Sequence, residues 1–215
     1  MKKVIIIDYG VGNIMSLKMA FNKINIDVKL TRDVDEILSS KYIVLPGVGA
    51  YASAMKKILE YKLDECLRIA SKNQKYILGI CLGAQLLLNK SEEFGDNKGL
   101  ELIPGEVKKI FDNRALSSSQ LKLPHIGWSK IVRSANLEKN QEKLLNGLSD
   151  KDSFYFIHSY ACQTKESKNE ISHTLYENIK IPAIIAYNNI FGCQFHPEKS
   201  GKAGLKLLKN FLSIE

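Results

Sequence analysis

Two stretches of this sequence carry residue types able to do covalent chemistry together. The first is Gly79-Ile80-Cys81-Leu82-Gly83, a G-x-C-x-G pattern between an apolar run and a helical one. It is the cysteine form of a nucleophile elbow. A sharp strand-to-helix turn lifts one side chain off the sheet edge, and glycines two residues to either side avoid collisions there. The following helix points its N-terminus at the sulfur, which favours thiolate, and places the Leu82 N–H to hold an oxyanion. The second stretch is His196-Pro197-Glu198. A nucleophilic cysteine needs a base, and the base needs an orienting acid. Taken singly, the elbow has a bland reading as a structural turn, and the His/Glu pair one as solvated side chains.

Three further segments belong to the same expected edge. Pro46-Gly47-Val48-Gly49 ends a strand-like run, and its glycines let backbone N–H groups turn toward a reacting carbonyl oxygen. Gln85 falls one helical turn after Cys81, and Glu93 follows it. A carboxamide substrate with an α-amino acid end needs such donors and acceptors. Tyr155, His158, Ser159 and Tyr160 end another strand and supply more polar contacts, with His158 read as a hydrogen-bonded structural histidine.

The elements that must position these residues are read from hydrophobic periodicity. In the first half, strands are expected at Val4 to Asp8, Asp27 to Thr31, Tyr42 to Leu45 and Lys75 to Ile80. Helical patterns alternate with them from Asn13 to Ile24, Asp33 to Leu38, Tyr51 to Ser71 and Leu82 to Lys90. That rhythm implies right-handed βαβ units and a parallel sheet, whose strands end at one edge. The second half is richer in strands: Val107 to Phe111, Trp128 to Val132, Ser153 to Ile157, Ser172 to Leu175, Ala183 to Tyr187 and Ile190 to Phe195. Asn188-Asn189 resembles a hairpin turn, Asp112 to Lys122 reads as a polar surface loop, and a helix from Gly201 to Leu212 closes the chain. The expected fold is α/β: one domain spanning 1–215, a mixed, mostly parallel central sheet flanked by helices, with an antiparallel addition in the C-terminal half.

Composition bounds the alternatives. With 215 residues, 45% hydrophobic and 25% charged, the chain has globular proportions and does not read as disordered or coiled coil. The net charge of +8 admits nucleic acid, but the 31 Lys and Arg are spread without a basic block, so a solvated lysine-rich surface is the simpler reading. The apolar stretches Ile43 to Met55 and Tyr76 to Leu88 are broken by Pro46, glycines, Cys81 and Gln85, short of a membrane span. The N-terminal apolar run stops at Asp8, short of a secretion signal, so a cytoplasmic protein is expected. Cys66, Cys81, Cys162 and Cys193 have no C-x-x-C spacing, which argues against zinc and thioredoxin-like chemistry, and disulfides are not expected. Gly10-Val11-Gly12 precedes a helix, yet the third position of a dinucleotide fingerprint is Met15, so the turn reads as a tight βα connection with Asn13 as helix N-cap.

Together, Gly79-Ile80-Cys81-Leu82-Gly83-Ala84-Gln85 and His196-Pro197-Glu198 resemble the class I glutamine amidotransferases. More narrowly, Asp8-Tyr9-Gly10-Val11-Gly12-Asn13, Pro46-Gly47-Val48-Gly49, Pro124-His125-Ile126-Gly127-Trp128 and His196-Pro197-Glu198-Lys199-Ser200 resemble the glutaminase-subunit family of imidazole glycerol phosphate synthase. The resemblance implies Cys81 as nucleophile, His196 as general acid/base and Glu198 as its orienter. It implies Leu82, Val48 and Gly49 at the oxyanion hole, and Gly47, Gln85, Glu93, Ser159 and Tyr160 around L-glutamine. Asn13, Trp128 and Lys199 would face a (β/α)8-barrel cyclase subunit in a heterodimer that uses the released ammonia in histidine biosynthesis. No metal, organic cofactor, nucleic acid or membrane is implied. Ala84 stands where the family usually has methionine, Ser129 where asparagine usually follows the tryptophan, and the segment Asp112 to Lys122 is longer than typical. A paralogous glutaminase feeding another acceptor, such as a nucleotide sugar in surface-glycan synthesis, is the alternative. A cysteine peptidase or γ-glutamyl hydrolase working alone and a non-enzymatic binding module are the readings from other classes.

Overall fold

The computed structural model describes residues 3–111 and 122–215, so all but the end of the polar segment Asp112 to Lys122 lies outside the described residues. The first half runs β1 (Val4–Ile7), α1 (Ile14–Lys23), β2 (Val28–Thr31), α2 (Val34–Ser39), β3 (Tyr42–Leu45), α3 (Tyr51–Glu60), α4 (Leu63–Lys72), β4 (Tyr76–Ile80) and α5 (Leu82–Leu86). The second half runs β5 (Lys90–Ser91), β6 (Asn97–Lys98), β7 (Gly105–Lys109), β8 (His125–Lys130), β9 (Val132–Arg133), α6 (Lys139–Leu144), β10 (Ser153–His158), β11 (Tyr160–Thr164), β12 (Glu170–Tyr176), β13 (Ile179–Tyr187), β14 (Ile190–Cys193) and α7 (Gly201–Phe211).

The central sheet has eight strands in the order β2-β1-β3-β4-β14-β13-β12-β9. Pairing is parallel from β2 through β14 and antiparallel from β14 to β9, which is the expected mixed architecture. The inner strands are apolar at every position because both faces of the sheet are covered. Alternation then sorts their side chains. Val4 and Ile6 of β1 join Val44, Leu78 and Phe191 under Leu17 and Phe21 of α1 and Leu207, Leu208 and Phe211 of α7. Ile5 and Ile7 join Ile43 and Ile77 under Ala54 and Ile58 of α3 and Cys66 and Leu67 of α4. Each face therefore buries its own cluster, and residue parity decides which one.

The insertion of β14 beside β4 matters most for function. Ile80 pairs with Cys193 at the end of the register, and the Cys81 N–H donates to the Cys193 carbonyl at 2.8 Å. The residues that follow the two strands, Cys81 on one and Gln194 to His196 on the other, leave the sheet side by side at its carboxyl edge. The hairpin before β14 uses the expected Asn188-Asn189 turn, with Asn188 at φ +54° and Tyr187 paired to Ile190.

Several expectations need correction. The strands expected at Val107, Trp128 and Ser153 do not extend the central sheet. β8 and β10 form a two-stranded antiparallel sheet, and β7 joins β11, β5 and β6 in a four-stranded one. The helix expected through Lys90 ends at Leu86. Asn89 is tied to Gly105 instead: its N–H donates to the Gly105 carbonyl and its side chain accepts the Gly105 N–H, which pulls the chain into the small sheet. The helices expected from Tyr51 to Ser71 are present as two, α3 and α4, divided where Lys62 takes φ +55°. Asn13 stands at the N-cap of α1, but its side chain makes no capping bond; the Asn13 carbonyl accepts from Leu17 N–H. Asp33, before α2, is a true cap, its carboxylate accepting the Glu36 N–H at 2.9 Å.

Candidate active site

Cys81 occupies a backbone conformation, φ +54° and ψ −112°, that a side-chain-bearing residue rarely adopts. Strain of this kind persists where the surroundings over-determine it. Here the surroundings are close-packed backbones. A Cβ on Gly83 would stand 1.9 Å from the Leu45 carbonyl oxygen, and one on Gly79 would stand 2.6 Å from the Gly83 oxygen. A Cβ on Gly47 would meet the Gly83 nitrogen at 2.6 Å. The glycines are thus required by the approach of β3, β4 and α5, and the elbow exists because that approach is allowed. The Leu82 N–H, first in the helix, belongs to the amides without an intrahelical acceptor. The loop Pro46 to Gly49 is anchored by Tyr9, whose buried hydroxyl donates to the Pro46 carbonyl at 2.7 Å.

His196 is fixed by main-chain bonds at the same edge. Its N–H donates to the Tyr155 carbonyl at 2.9 Å, and its carbonyl accepts from the Ser200 hydroxyl at 2.6 Å. The 3-10 turn Pro197–Lys199 then folds the Glu198 carboxylate back onto the ring, Nδ1 to Oε1 at 2.7 Å, with both side chains almost wholly buried. Nδ1 is thereby occupied, which leaves Nε2 as the ring nitrogen open to chemistry in the cavity that His196 shares with Cys81. Burial opposes a charge on His196, but the hydrogen bonds and negative charge offered by Cys81 and Glu198 outweigh it and push its pKa up to about 9. The second carboxylate oxygen, Oε2, is buried without a hydrogen-bond partner among the described residues.

A cavity of about 300 Å³ opens over Cys81 and His196. Val48, Gly49 and Leu82 line it, as do Gln85, Glu93, Ser159 and Tyr160, with Lys199 also on its wall. That volume suits one amino acid. Gly47 and Asn13 do not reach this cavity; they border a much smaller gap, about 10 Å³, beside His196 and Glu198. Trp128 lies away from both and is exposed, its ring edge-on to Tyr155 at 6.0 Å, while the Lys199 ammonium sits 5.6 Å over the same Tyr155 ring.

Two expected contacts are partly spent inside the protein. The Gln85 amide nitrogen donates to the Tyr160 carbonyl at 2.8 Å and to Gln194 Oε1 at 3.1 Å, so only its oxygen remains for a ligand. Glu93 Oε2 accepts the Tyr51 N–H at 2.7 Å at the start of α3, leaving Oε1. Sequence reasoning missed Gln194, whose amide nitrogen lies 3.9 Å from Cys81 Sγ, and gave no role to His125. The signal for Gln194 was present: one amide in the otherwise apolar run Ile190 to Phe195, two residues before His196 and so on the same side of an extended chain.

The other three thiols behave as buried hydrophobes. Burial raises the pKa of Cys66 to about 11 and raises those of Cys162 and Cys193 further, and all four cysteines are free. Among the described residues no group of three His, Cys, Asp or Glu is placed to hold a metal ion, and no helix is long and apolar enough to cross a membrane.

The chain matches the family model described as glutamine amidotransferase class-I over residues 5–214. It is 39% identical over 214 residues to imidazole glycerol phosphate synthase subunit HisH 1 of Legionella pneumophila (strain Paris), covering 100% of both chains. It is 42% identical over 212 residues to the HisH subunit of Lactococcus lactis subsp. lactis (strain IL1403), covering 99% of this chain and 98% of that one. Its fold is similar to that of PurLQS from Thermotoga maritima, with a TM-score of 0.70, 18% identity and coverage of 99% and 98%. A strained cysteine, a buried His–Glu pair at the neighbouring strand end and a match running almost from end to end agree: this chain is an enzyme acting on glutamine and belongs to the class-I glutamine amidotransferases.

Proposed function

We propose that this chain is the glutaminase subunit of an imidazole glycerol phosphate synthase and hydrolyses glutamine with a Cys81–His196–Glu198 triad. The Cys81 thiolate attacks the carboxamide carbon. The oxyanion that forms is held by the Leu82 N–H and an amide of the Val48–Gly49 turn. His196 gives its Nε2 proton to the leaving nitrogen, the C–N bond breaks, and ammonia departs from a thioester. His196 then takes a proton from water as the water attacks; the C–S bond breaks, releasing glutamate and the thiolate. Glu198 keeps the imidazolium oriented throughout. The Gln85 oxygen, Glu93, Ser159 and Tyr160 hold the α-amino and carboxylate end of the substrate.

Ammonia protonated in bulk water is no longer a nucleophile, so the product must reach an acceptor without crossing solvent. The partner in this reading is a (β/α)8-barrel cyclase, docked over Asn13, Trp128 and Lys199, that makes imidazole glycerol phosphate and AICAR in histidine biosynthesis. Support comes from the relatives' names and from the exposed Trp128 beside Lys199 over the Tyr155 ring. The observation that carries the chemistry is the 2.7 Å His196–Glu198 pair, whose histidine lines the same amino-acid-sized cavity as the elbow cysteine.

The test is glutaminase activity with and without a co-purified barrel subunit carrying its nucleotide substrate. Weak activity alone that rises strongly with the loaded partner is expected. Full activity of the isolated chain, or transfer of ammonia only to a nucleotide sugar, would overturn the assignment of the partner.

A further inference from the structure

The triad histidine is one of three buried histidines; the other two form a unit of their own. His125 on β8 and His158 at the end of β10 are cross-strand partners, with His125 Nδ1 3.3 Å from His158 Nε2. His158 Nδ1 lies 2.8 Å from the Tyr160 carbonyl, and His125 Nε2 lies 3.0 Å from the Ser129 hydroxyl. A carbonyl oxygen only accepts, so His158 Nδ1 must carry the proton. In a neutral ring its Nε2 is then bare and accepts from His125 Nδ1–H. The same logic leaves His125 Nε2 bare, and the Ser129 hydroxyl donates to it. No freedom of tautomer remains once the Tyr160 carbonyl is placed.

The Tyr160 carbonyl also accepts from Gln85, Gln85 donates to Gln194 Oε1, and the Gln194 amide nitrogen is the one 3.9 Å from Cys81 Sγ. A connected run of hydrogen bonds therefore leads from Ser129 to the nucleophile, and His158, Tyr160 and Gln85 on it line the cavity. Alternation on β8 turns His125 and Ser129 inward to this run, while Ile126 and Trp128 on the other face are exposed.

We propose that His125 and His158 are a neutral positioning pair that holds the Tyr160 carbonyl and Gln85 in the geometry that binds glutamine. This rests on the glutaminase reading above. Neutrality follows from the surroundings. The rings face Phe156, Tyr176, each other and the charge of His196, and burial holds their pKa values near 4 and 3. A proton added to His158 would set its Nε2–H against the His125 Nδ1–H, and one added to His125 would turn the Ser129 hydroxyl from donor to acceptor.

Two measurements test this. The first needs no variant: nitrogen–proton correlation spectra of the imidazole rings in the full chain, which observe the ring protons directly. Both rings are expected as Nδ1–H tautomers that do not titrate between about pH 5.5 and pH 8. An Nε2–H tautomer or a titration in that range would overturn the proposal. The second compares His158→Leu with His158→Asn in the partner complex. Asparagine keeps a donor where Nδ1 stands; leucine keeps none. His158→Leu should raise the glutamine KM roughly tenfold with a smaller change in kcat, and His158→Asn should restore most of it. Equal KM values for the two variants, with only thermal stability altered, would assign the pair a folding role alone and overturn the proposal. Absence of glutaminase activity in the unaltered complex would instead overturn the glutaminase reading itself.

Discussion

His196 and the His125–His158 pair are buried in the same end of one molecule, yet burial has opposite outcomes. At the pair, little opposes desolvation, and both rings are held neutral. At His196, a carboxylate at 2.7 Å and the elbow sulfur reverse the sign and favour the imidazolium. A histidine's role is thus decided by which charged group reaches it and not by how deeply it lies. The two sites also differ in what makes them rigid. The Cys81–His196–Glu198 site stands on strained backbone and close-packed glycines, the pair on cross-strand hydrogen bonds and stacked rings.

The sharpest way to break the contrast is to remove the charges that create it. Cys81→Ala should abolish glutaminase activity, a loss of roughly a thousandfold or more, with folding retained. Glu198→Gln should lower kcat by about a thousandfold, because the amide no longer stabilises the imidazolium. It should also bring the pKa of His196 down toward that of its neighbours, read by the same ring spectra. Retention of a raised His196 pKa in Glu198→Gln would mean that the sulfur alone supplies the difference.

Next in size is the scaffold of the elbow. In Gly83→Ala the new methyl would meet the Leu45 carbonyl at 1.9 Å, so β3 and α5 must separate. A destabilisation of about 3 kcal/mol is expected in denaturant unfolding, with activity lost beyond what the folded fraction explains. The histidine pair, which does not rest on this packing, should keep its tautomers in whatever fraction folds. Trp128→Ala is the complementary control. The side chain is exposed on the outer face of β8, so stability of the free chain should change by less than about 0.5 kcal/mol. If the proposed heterodimer docks over this face, affinity for the barrel subunit should fall by about 2 kcal/mol or more in a binding titration, as for a large buried aromatic anchor.

The candidate site at Cys81, His196 and Glu198 is readable from the chain because its signals are local. An elbow needs small residues at fixed offsets, and His196 and Glu198 are separated by one proline. The parallel half of the sheet is readable because strands covered on both faces must be apolar throughout. The small sheets are not, since β5 and β6 are two residues long each and their partners are set by register. Nor is the spent state of the Gln85 amide, or the pairing of His125 with His158 across 33 residues, because both depend on strand placements that no single stretch encodes. Residues 112–121 lie outside the described residues, so the expected surface loop is left as a reading of composition.

The prediction that compares the two sites directly is the pH dependence of stability. His125 and His158 have native pKa values near 4 and 3, below the value of about 6.5 for an unfolded histidine. Below about pH 6.5 the unfolded chain takes up protons that the native pair refuses, so each ring erodes stability as the pH falls from there toward its native pKa. The slope is about 1.4 kcal/mol per pH unit for each ring once the unfolded form is fully protonated. His196 has the opposite sign. Its native pKa is raised to about 9, so its contribution is complete below about pH 6.5 and is lost as the pH rises through 9. Denaturant unfolding from about pH 4.5 to pH 9.5 should therefore separate the sites. The double variant His125→Asn, His158→Asn should flatten the acid limb and leave the alkaline limb, while Glu198→Gln should flatten the alkaline limb and leave the acid one. Both variants flattening the same limb would mean that the three rings titrate as one network, and that the boundary drawn between them is wrong.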